Sequence, residues 1–330
     1  VKDLIQKLTE AYGPSGHEDR VRELIRSKVE PLADDVGVDA LGNLIVLKKG
    51  TGGGKTVMLA AHMDEIGLII SYVDKEGFLR FQPVGGIDVM TLVGGRVQFA
   101  DGAVGVIAPE KRPEFKSKPE LSQLYIDIGA TGPEVAEKRL GQAVGFIRTF
   151  ADQGERVVAK AMDDRIGCAI LIETLRQLEG TPHDAHFVFS VQEEVGLRGA
   201  RTSAYGVDPD VGIAVDVTIA ADTPEAPKMA MKLGDGPCIK VKDGRMLAHP
   251  GVKDLLINTA EAHGLPYQLE VLAHGSTDAA AIQLVRKGVP AGTVSIACRY
   301  VHTQSEMVDM NDVENAVKLL VAVLASPFEL

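Results

Sequence analysis

The residues of this chain best suited to chemistry are histidines and carboxylates that follow apolar runs. The run 56–61 ends in His62-Met63-Asp64, the run 186–191 in Gln192-Glu193-Glu194, and the run 211–215 in Asp216, while 293–297 is soon followed by Arg299-Tyr300-Val301-His302. An acidic pair, Asp163-Asp164, opens a helical pattern that begins near Arg165. Two imidazoles and several carboxylates with no thiolate nearby form a mixed nitrogen and oxygen donor set, which suits zinc, cobalt or manganese. A cocatalytic pair of ions needs one shared ligand besides the terminal ones. Asp163 fills that bridging place; His62 and Asp216 then complete one ion, and Glu194 and His302 the other, with the pairing inside each ion open. Glu193 is left free.

Each of these residues has a plainer reading. In an extended His62-Met63-Asp64 the alternate side chains point the same way, so Asp64 could accept the second ring N–H of His62 and fix its tautomer, or simply cap a strand end. Glu193-Glu194 could be a solvated acidic turn, although adjacent carboxylates after a buried strand cost stability unless cations or solvent receive them. Asp163-Asp164 alone would pass for a helix cap. His274 could touch substrate or only satisfy a loop. His17, His183, His186, His249 and His263 have no matching constellation.

The elements that would hold these residues alternate. Helices flank a turn at Gly13-Pro14-Ser15-Gly16, where Ser15 and Glu18 have capping-box spacing, so a helix is expected to restart near Gly16. Apolar runs 43–48 and 56–61 read as strands joined by a glycine-rich connection. Between 67 and 155 the texture changes to short β-like runs broken by Gly, Pro and Asp, the pattern of an all-β module. Helix and strand then alternate again: helices over 165–178, 252–262, 277–287 and 312–325, strands over 186–191, 211–215 and 293–297. The expected fold is α/β, a mostly parallel central sheet flanked by helices, with residues 1–66 and 157–330 forming the catalytic domain and 67–156 a β-rich insert. In open sheets of this kind ligands bind at the carboxyl ends of the strands, where the histidines and acids fall.

Whole-chain properties narrow the function classes. With 330 residues, 45% hydrophobic and 25% charged, the composition is that of a globular protein able to bury a large core. A net charge of -11 and no basic stripe argue against nucleic-acid binding. No apolar run approaches the roughly 20 residues of a bilayer span, and the charged residues directly after Val1 lead us to expect no secretory leader. Cys168, Cys238 and Cys298 are far apart and odd in number, which reads as reduced core thiols of a cytoplasmic protein. The Gly-Lys-Thr at 54–56 lacks the glycine a phosphate loop needs at position 49, which is Lys49, and Ser276 has no nucleophile-elbow context.

The segments Gly13-Pro14-Ser15-Gly16-His17-Glu18, Ala61-His62-Met63-Asp64-Glu65-Ile66-Gly67, Ala161-Met162-Asp163-Asp164-Arg165, Gln192-Glu193-Glu194-Val195-Gly196, Val215-Asp216, Gly275-Ser276-Thr277-Asp278 and Arg299-Tyr300-Val301-His302-Thr303 resemble, in order, those of the tetrahedral aminopeptidases. That group of cocatalytic metallopeptidases includes glutamyl aminopeptidases and relatives labelled endoglucanases. The resemblance covers essentially the whole chain. It implies two divalent ions, zinc or cobalt first and manganese as an alternative, held by His62, Asp163, Glu194, Asp216 and His302, with Glu193 as general base and Asp64 orienting His62. It further implies peptide substrates with a free N-terminus, an insert of β-barrel or PDZ-like form used in dimerisation, and homo-oligomers up to a tetrahedral dodecamer. Ser276 and Thr303 stand where many relatives have Gly and Ser, which bears only on substrate preference. Competing readings are a deacylase or carboxypeptidase with the same ligands, a metal-independent glycosidase with two carboxylates flanking a sugar, and a non-catalytic scaffold.

Overall fold

In the computed structural model, which describes residues 1–111 and 118–330, the chain opens with α1 (Lys2–Glu10) and α2 (Asp19–Val29), then β1 (Asp35–Val38), β2 (Leu44–Lys48) and β3 (Thr56–His62). Six short strands follow: β4 (Gly67–Val73), β5 (Leu79–Val84), β6 (Arg96–Phe99), β7 (Val104–Pro109), β8 (Leu124–Asp127) and, after the short α3 (Pro133–Ala136), β9 (Ala143–Phe146). They close into a barrel in the order β4-β5-β8-β7-β6-β9, every pairing antiparallel. Leu68, Ile70, Leu79, Phe81, Val97, Phe99, Ile107, Ile126 and Val144 fill its core. Residues 112–117 of the expected insert lie outside the described residues.

The chain then returns through β10 (Ala151–Asp152) and β11 (Arg156–Ala159) to α4 (Met162–Gln177), β12 (Asp184–Ser190), α5 (Arg198–Val207), β13 (Val211–Ile219), β14 (Cys238–Lys242), α6 (Pro250–Ala262), β15 (Gln268–Val271), α7 (Ala279–Ile282), β16 (Ala291–Arg299), β17 (Glu306–Asp309) and α8 (Met310–Ala325). β10 pairs with β11 in the large sheet, so the return begins ahead of residue 156. The 11-stranded sheet runs β1-β2-β12-β3-β13-β16-β17-β11-β10, with β14 and β15 branching from β16. Its central strands β12, β3, β13 and β16 are parallel, while the pairings at both margins are antiparallel. The parallel character read from the sequence therefore holds at the centre, where helices cover both faces.

Period-two alternation sorts the central strands between two cores. Val57, Leu59 and Ala61 of β3 join the large core beneath α1, α2, α4, α6 and α8, whereas Met58 and Ala60 face the smaller one under α5 and α7. α4 is buried on all sides from Met162 to Leu175, as a helix sandwiched between the sheet, α1 and α8 must be. Each large apolar side chain so enclosed contributes about 1.5–3 kcal/mol. Among the described residues no helix is long and apolar enough to cross a membrane.

Three expectations need correction. The Ser15/Glu18 capping box does not form: α2 starts at Asp19, Ser15 Oγ donates to Asp64, and the Glu18 carboxylate accepts the N–H groups of Gly16 and Gln192. Tertiary partners at the site outbid the local cap. The helix expected over 277–287 is one turn long, because the α-helical stretch stops at Ile282 and Arg286 adopts φ +51°. Asp216 lies inside β13, which continues to Ile219, rather than at a strand end.

Candidate active site

Because β12, β3, β13 and β16 are parallel, their carboxyl ends share one edge. Ser190 pairs with His62, and Ala60 pairs with Ala214, which brings His62 level with Asp216. The loop after β12 adds Glu193 and Glu194, the N-terminal end of α4 adds Asp163, and the loop after β16 adds His302. All of them line one cavity of about 1060 Å³ together with His274. The sequence-derived set is therefore assembled in space, with His274 exposed in the same cavity.

Asp163 is the hub. Its Oδ1 lies 2.9 Å from His62 Nε2 and its Oδ2 lies 3.4 Å from His302 Nε2, which is also 3.4 Å from Glu194 Oε2. Glu193 Oε2 is 4.0 Å from His62 Nε2. Two groups have ligand atoms close enough to share a cation: His62, Asp163 and Glu194, and His62, Asp164 and Asp216. Asp164 thus competes with Asp163 on distance alone. Its two carboxylate oxygens, however, already accept the N–H groups of His62 and Gly167, and a Cβ on Gly167 would sit 2.4 Å from Asp164 Oδ1. Asp164 ties the start of α4 to the end of β3, and Asp163 keeps both oxygens toward the imidazoles.

Around this centre a ring of buried acids holds the backbone. Glu306 accepts the N–H groups of Asp163 and His302 on its two oxygens, at 3.0 and 2.8 Å. Asp64 accepts those of Glu193 and Glu194, at 3.0 and 3.2 Å, and the hydroxyl of Ser15 at 2.6 Å. The acceptor nearest His62 Nδ1 is the Asp64 carbonyl oxygen at 3.1 Å, with carboxylate Oδ1 at 3.4 Å. The Asp64 side chain thus positions the Glu193-Glu194 loop at least as directly as it does the imidazole. Ser190 Oγ donates to Asp278 at 2.5 Å. Behind the ring, Lys160 reaches Glu65 at 2.6 Å, and Arg165, wholly buried, donates to the carbonyls of Leu8, Ala11 and Gly13.

The backbone is strained where it carries these groups: Ala161, Gln192, Tyr300 and His302 have φ between 54° and 63°, a region that costs L-residues energy and persists only where surroundings impose it. The barrel also reaches the site. A Cβ on Gly86 would meet His302 Nδ1 at 2.8 Å, and Gly85, at φ +85°, leaves room for Glu194. Glu306, Asp164, Asp278 and the Gly85-Gly86 pair were not assigned roles from sequence. The doublet of glycines after an apolar strand was the visible signal for a close approach; Glu306 looked like any strand-edge acid.

The electrostatics call for a cation. Burial, reinforced by Asp163, pushes Glu194 up to about 8 and likewise Glu306 to about 8. Glu193, Asp164 and Asp216 are also held well above the carboxylate range, by burial first and by neighbouring acids next. For Asp163 burial pushes up, but hydrogen bonds to His302 and His62 outweigh it and hold the group low. With His62 Nδ1 directed at the Asp64 carbonyl, the Nε2 lone pair faces an Asp163 oxygen, which is unfavourable unless a proton or cation lies between them. Among the described residues Glu194 Oε1 is buried with no hydrogen-bond partner. This donor set fits divalent cations.

The sequence profile of the M42 glutamyl aminopeptidase family matches residues 42–319. The chain belongs to this peptidase family. Its reaction class is peptide hydrolysis, by an aminopeptidase. It is 37% identical to the lysyl aminopeptidase of Pyrococcus furiosus, covering 98% of this chain and 96% of that protein. It resembles an aminopeptidase structure from the archaeon Desulfurococcus kamchatkensis at TM-score 0.94 and 43% identity, over 98% and 94% of the two chains. It also resembles the Pyrococcus horikoshii TET1 peptidase, which can assemble into a tetrahedron or a large octahedral shell, at TM-score 0.86 and 34% identity over 98% and 99%.

Proposed function

We propose that this M42 family member is a dinuclear metal-dependent aminopeptidase. The observation that carries the proposal is Asp163, whose two oxygens face His62 and His302 separately, as a bridging carboxylate would. His62 and Asp216 would hold one ion, and Glu194 and His302 the other. Two divalent ions bound there supply a shared water of lowered pKa and polarise the scissile carbonyl; zinc and cobalt suit the donor set first, manganese as well.

The chain's own groups do the proton work. Glu193, largely buried and pushed toward protonation by burial and by Asp216, is the general base: it removes the proton of the attacking water and returns it to the departing amine. Asp64 orients this base by holding the Glu193 and Glu194 amides, and fixes the His62 ring through its carbonyl. His274, in the cavity lining, touches substrate. The substrate is a peptide with a free N-terminal amine. The test is a Glu193→Gln variant: metal content near that of the parent with turnover reduced about 10²–10⁴-fold supports the assignment, and near-normal turnover rejects it.

We further propose that the chain forms homo-oligomers, with the β4–β9 barrel as the dimerising element and dimers assembling into a tetrahedral dodecamer. The likeness to the TET1 peptidase supports this. Light scattering of the intact protein tests it. The cytoplasm is the proposed location, which the three free, buried cysteines suit.

A further inference from the structure

Resting on the aminopeptidase reading, we infer that the cavity selects peptides whose N-terminal side chain is neutral and apolar, of leucine or methionine size. Besides the acids and imidazoles, the cavity is lined by Val217, Ile219, Pro227, Met229 and Leu272. β13 runs along the cavity, with Asp216, Val217, Thr218 and Ile219 all in its lining. Ile219 is 49% exposed, an apolar surface left open at the end of an otherwise buried strand.

The buried cation of this lining is already paired. Lys240 lines the cavity yet is 1% exposed, with Nζ 2.5 Å from Glu270 Oε1 and 3.6 Å from Asp243 Oδ2, and Thr218 Oγ1 donates to that same Glu270 oxygen. An acidic substrate side chain finds this cation already taken by two carboxylates. A basic one would want the surplus oxygen, Glu270 Oε2, which has no hydrogen-bond partner among the described residues but is buried, while Asp243 Oδ2 already faces Lys240. Burying either charge against this lining without a partner is unfavourable. The cation left at the rim is the exposed Arg245.

The experiment measures kcat/KM of metal-reconstituted protein on Leu, Met, Ala, Glu and Lys p-nitroanilides, together with thermal-shift binding of free L-leucine, L-glutamate and L-lysine. Leu and Met should exceed Ala by about tenfold or more and exceed Glu and Lys by at least as much, with L-leucine alone protecting the protein. Ile219→Asp, at an exposed position that should leave folding intact, should shift the Leu-to-Lys ratio toward Lys by about tenfold. A Glu preference that Arg245→Ala abolishes, or a Lys preference in the parent, would overturn the apolar pocket while leaving the aminopeptidase reading in place. No hydrolysis of any of the substrates would overturn both.

Discussion

Removing the charge of Glu65 should destabilise the protein far more than removing that of Lys160, although the two form one buried pair. Lys160 and Glu65 are 2% exposed each, and their 2.6 Å contact lies between the Gly13–Gly16 turn and the start of α4. In Glu65→Gln the lysine loses its anionic partner and keeps only neutral acceptors, the Gln amide oxygen and the Ala11 carbonyl at 3.3 Å, and its ammonium is already driven down by burial and by Arg165. Leaving a buried charge without its partner costs about 3–5 kcal/mol, which at roughly 2 °C per kcal/mol for a large domain lowers Tm by about 6–10 °C. In Lys160→Met the carboxylate still accepts the Gly13 N–H at 3.1 Å and has Arg165 Nη2 at 3.7 Å, so the loss should be about 1–2 kcal/mol. The double change Glu65→Gln with Lys160→Met should lose less than the two single changes summed, by about 2 kcal/mol, because the ammonium stranded in Glu65→Gln is absent from the double. Urea titration of the variants reads this directly. Equal losses in the two single variants, or strict additivity in the double, would refute the argument that the pair is mutually compensating.

Other outcomes follow from the geometry. Glu306→Gln leaves one acceptor for two backbone N–H groups, so zinc affinity measured by chelator competition should fall about 10–100-fold with far-UV dichroism unchanged; undiminished affinity would show that the clamp does not set ligand geometry. Asp64→Asn should weaken metal retention or kcat by about 10–100-fold, since its carboxylate accepts the amides of Glu193 and Glu194; unchanged metal content and rate reject the role. Gly86→Ala should lower kcat while sparing Tm, because the new methyl meets His302 Nδ1 at 2.8 Å; an unaltered kcat would mean that the ring moves freely. Asp312, which caps Gly234 and Gly236, is pushed up to about 7 by burial first. The folded state therefore binds its proton more tightly than the unfolded chain. The associated stability is full below about pH 4, and is lost as pH rises through about 7, so the wild type should lose ground to Asp312→Asn across that window. Denaturation at several pH values checks the sign.

Much of the site was legible because parallel strands ending in His, Glu or His-bearing loops put their polar residues on one edge whatever the packing details. The change of texture at residue 67 announced the barrel for the same local reason: short alternating runs cannot build a parallel core. What the sequence could not show were roles made by distant partners. Ser15 and Glu18 have the spacing of a cap, yet they serve Asp64 and Gln192, residues far along the chain. Glu306 becomes a clamp only when β17 brings it beside both Asp163 and His302. Asp216 read as a strand terminus because a carboxylate ends the apolar run 211–215, whereas pairing with β16 carries the strand on through Val217, Thr218 and Ile219.

The most direct test of the central claim is hydrolysis of aminoacyl p-nitroanilides, with free and with acetylated amino groups, by chelated protein resupplied with zinc, cobalt or manganese. The account predicts no activity after chelation and metal-restored cleavage of the free-amine substrates alone. Activity that survives chelation, or equal cleavage of acetylated substrates, would contradict it.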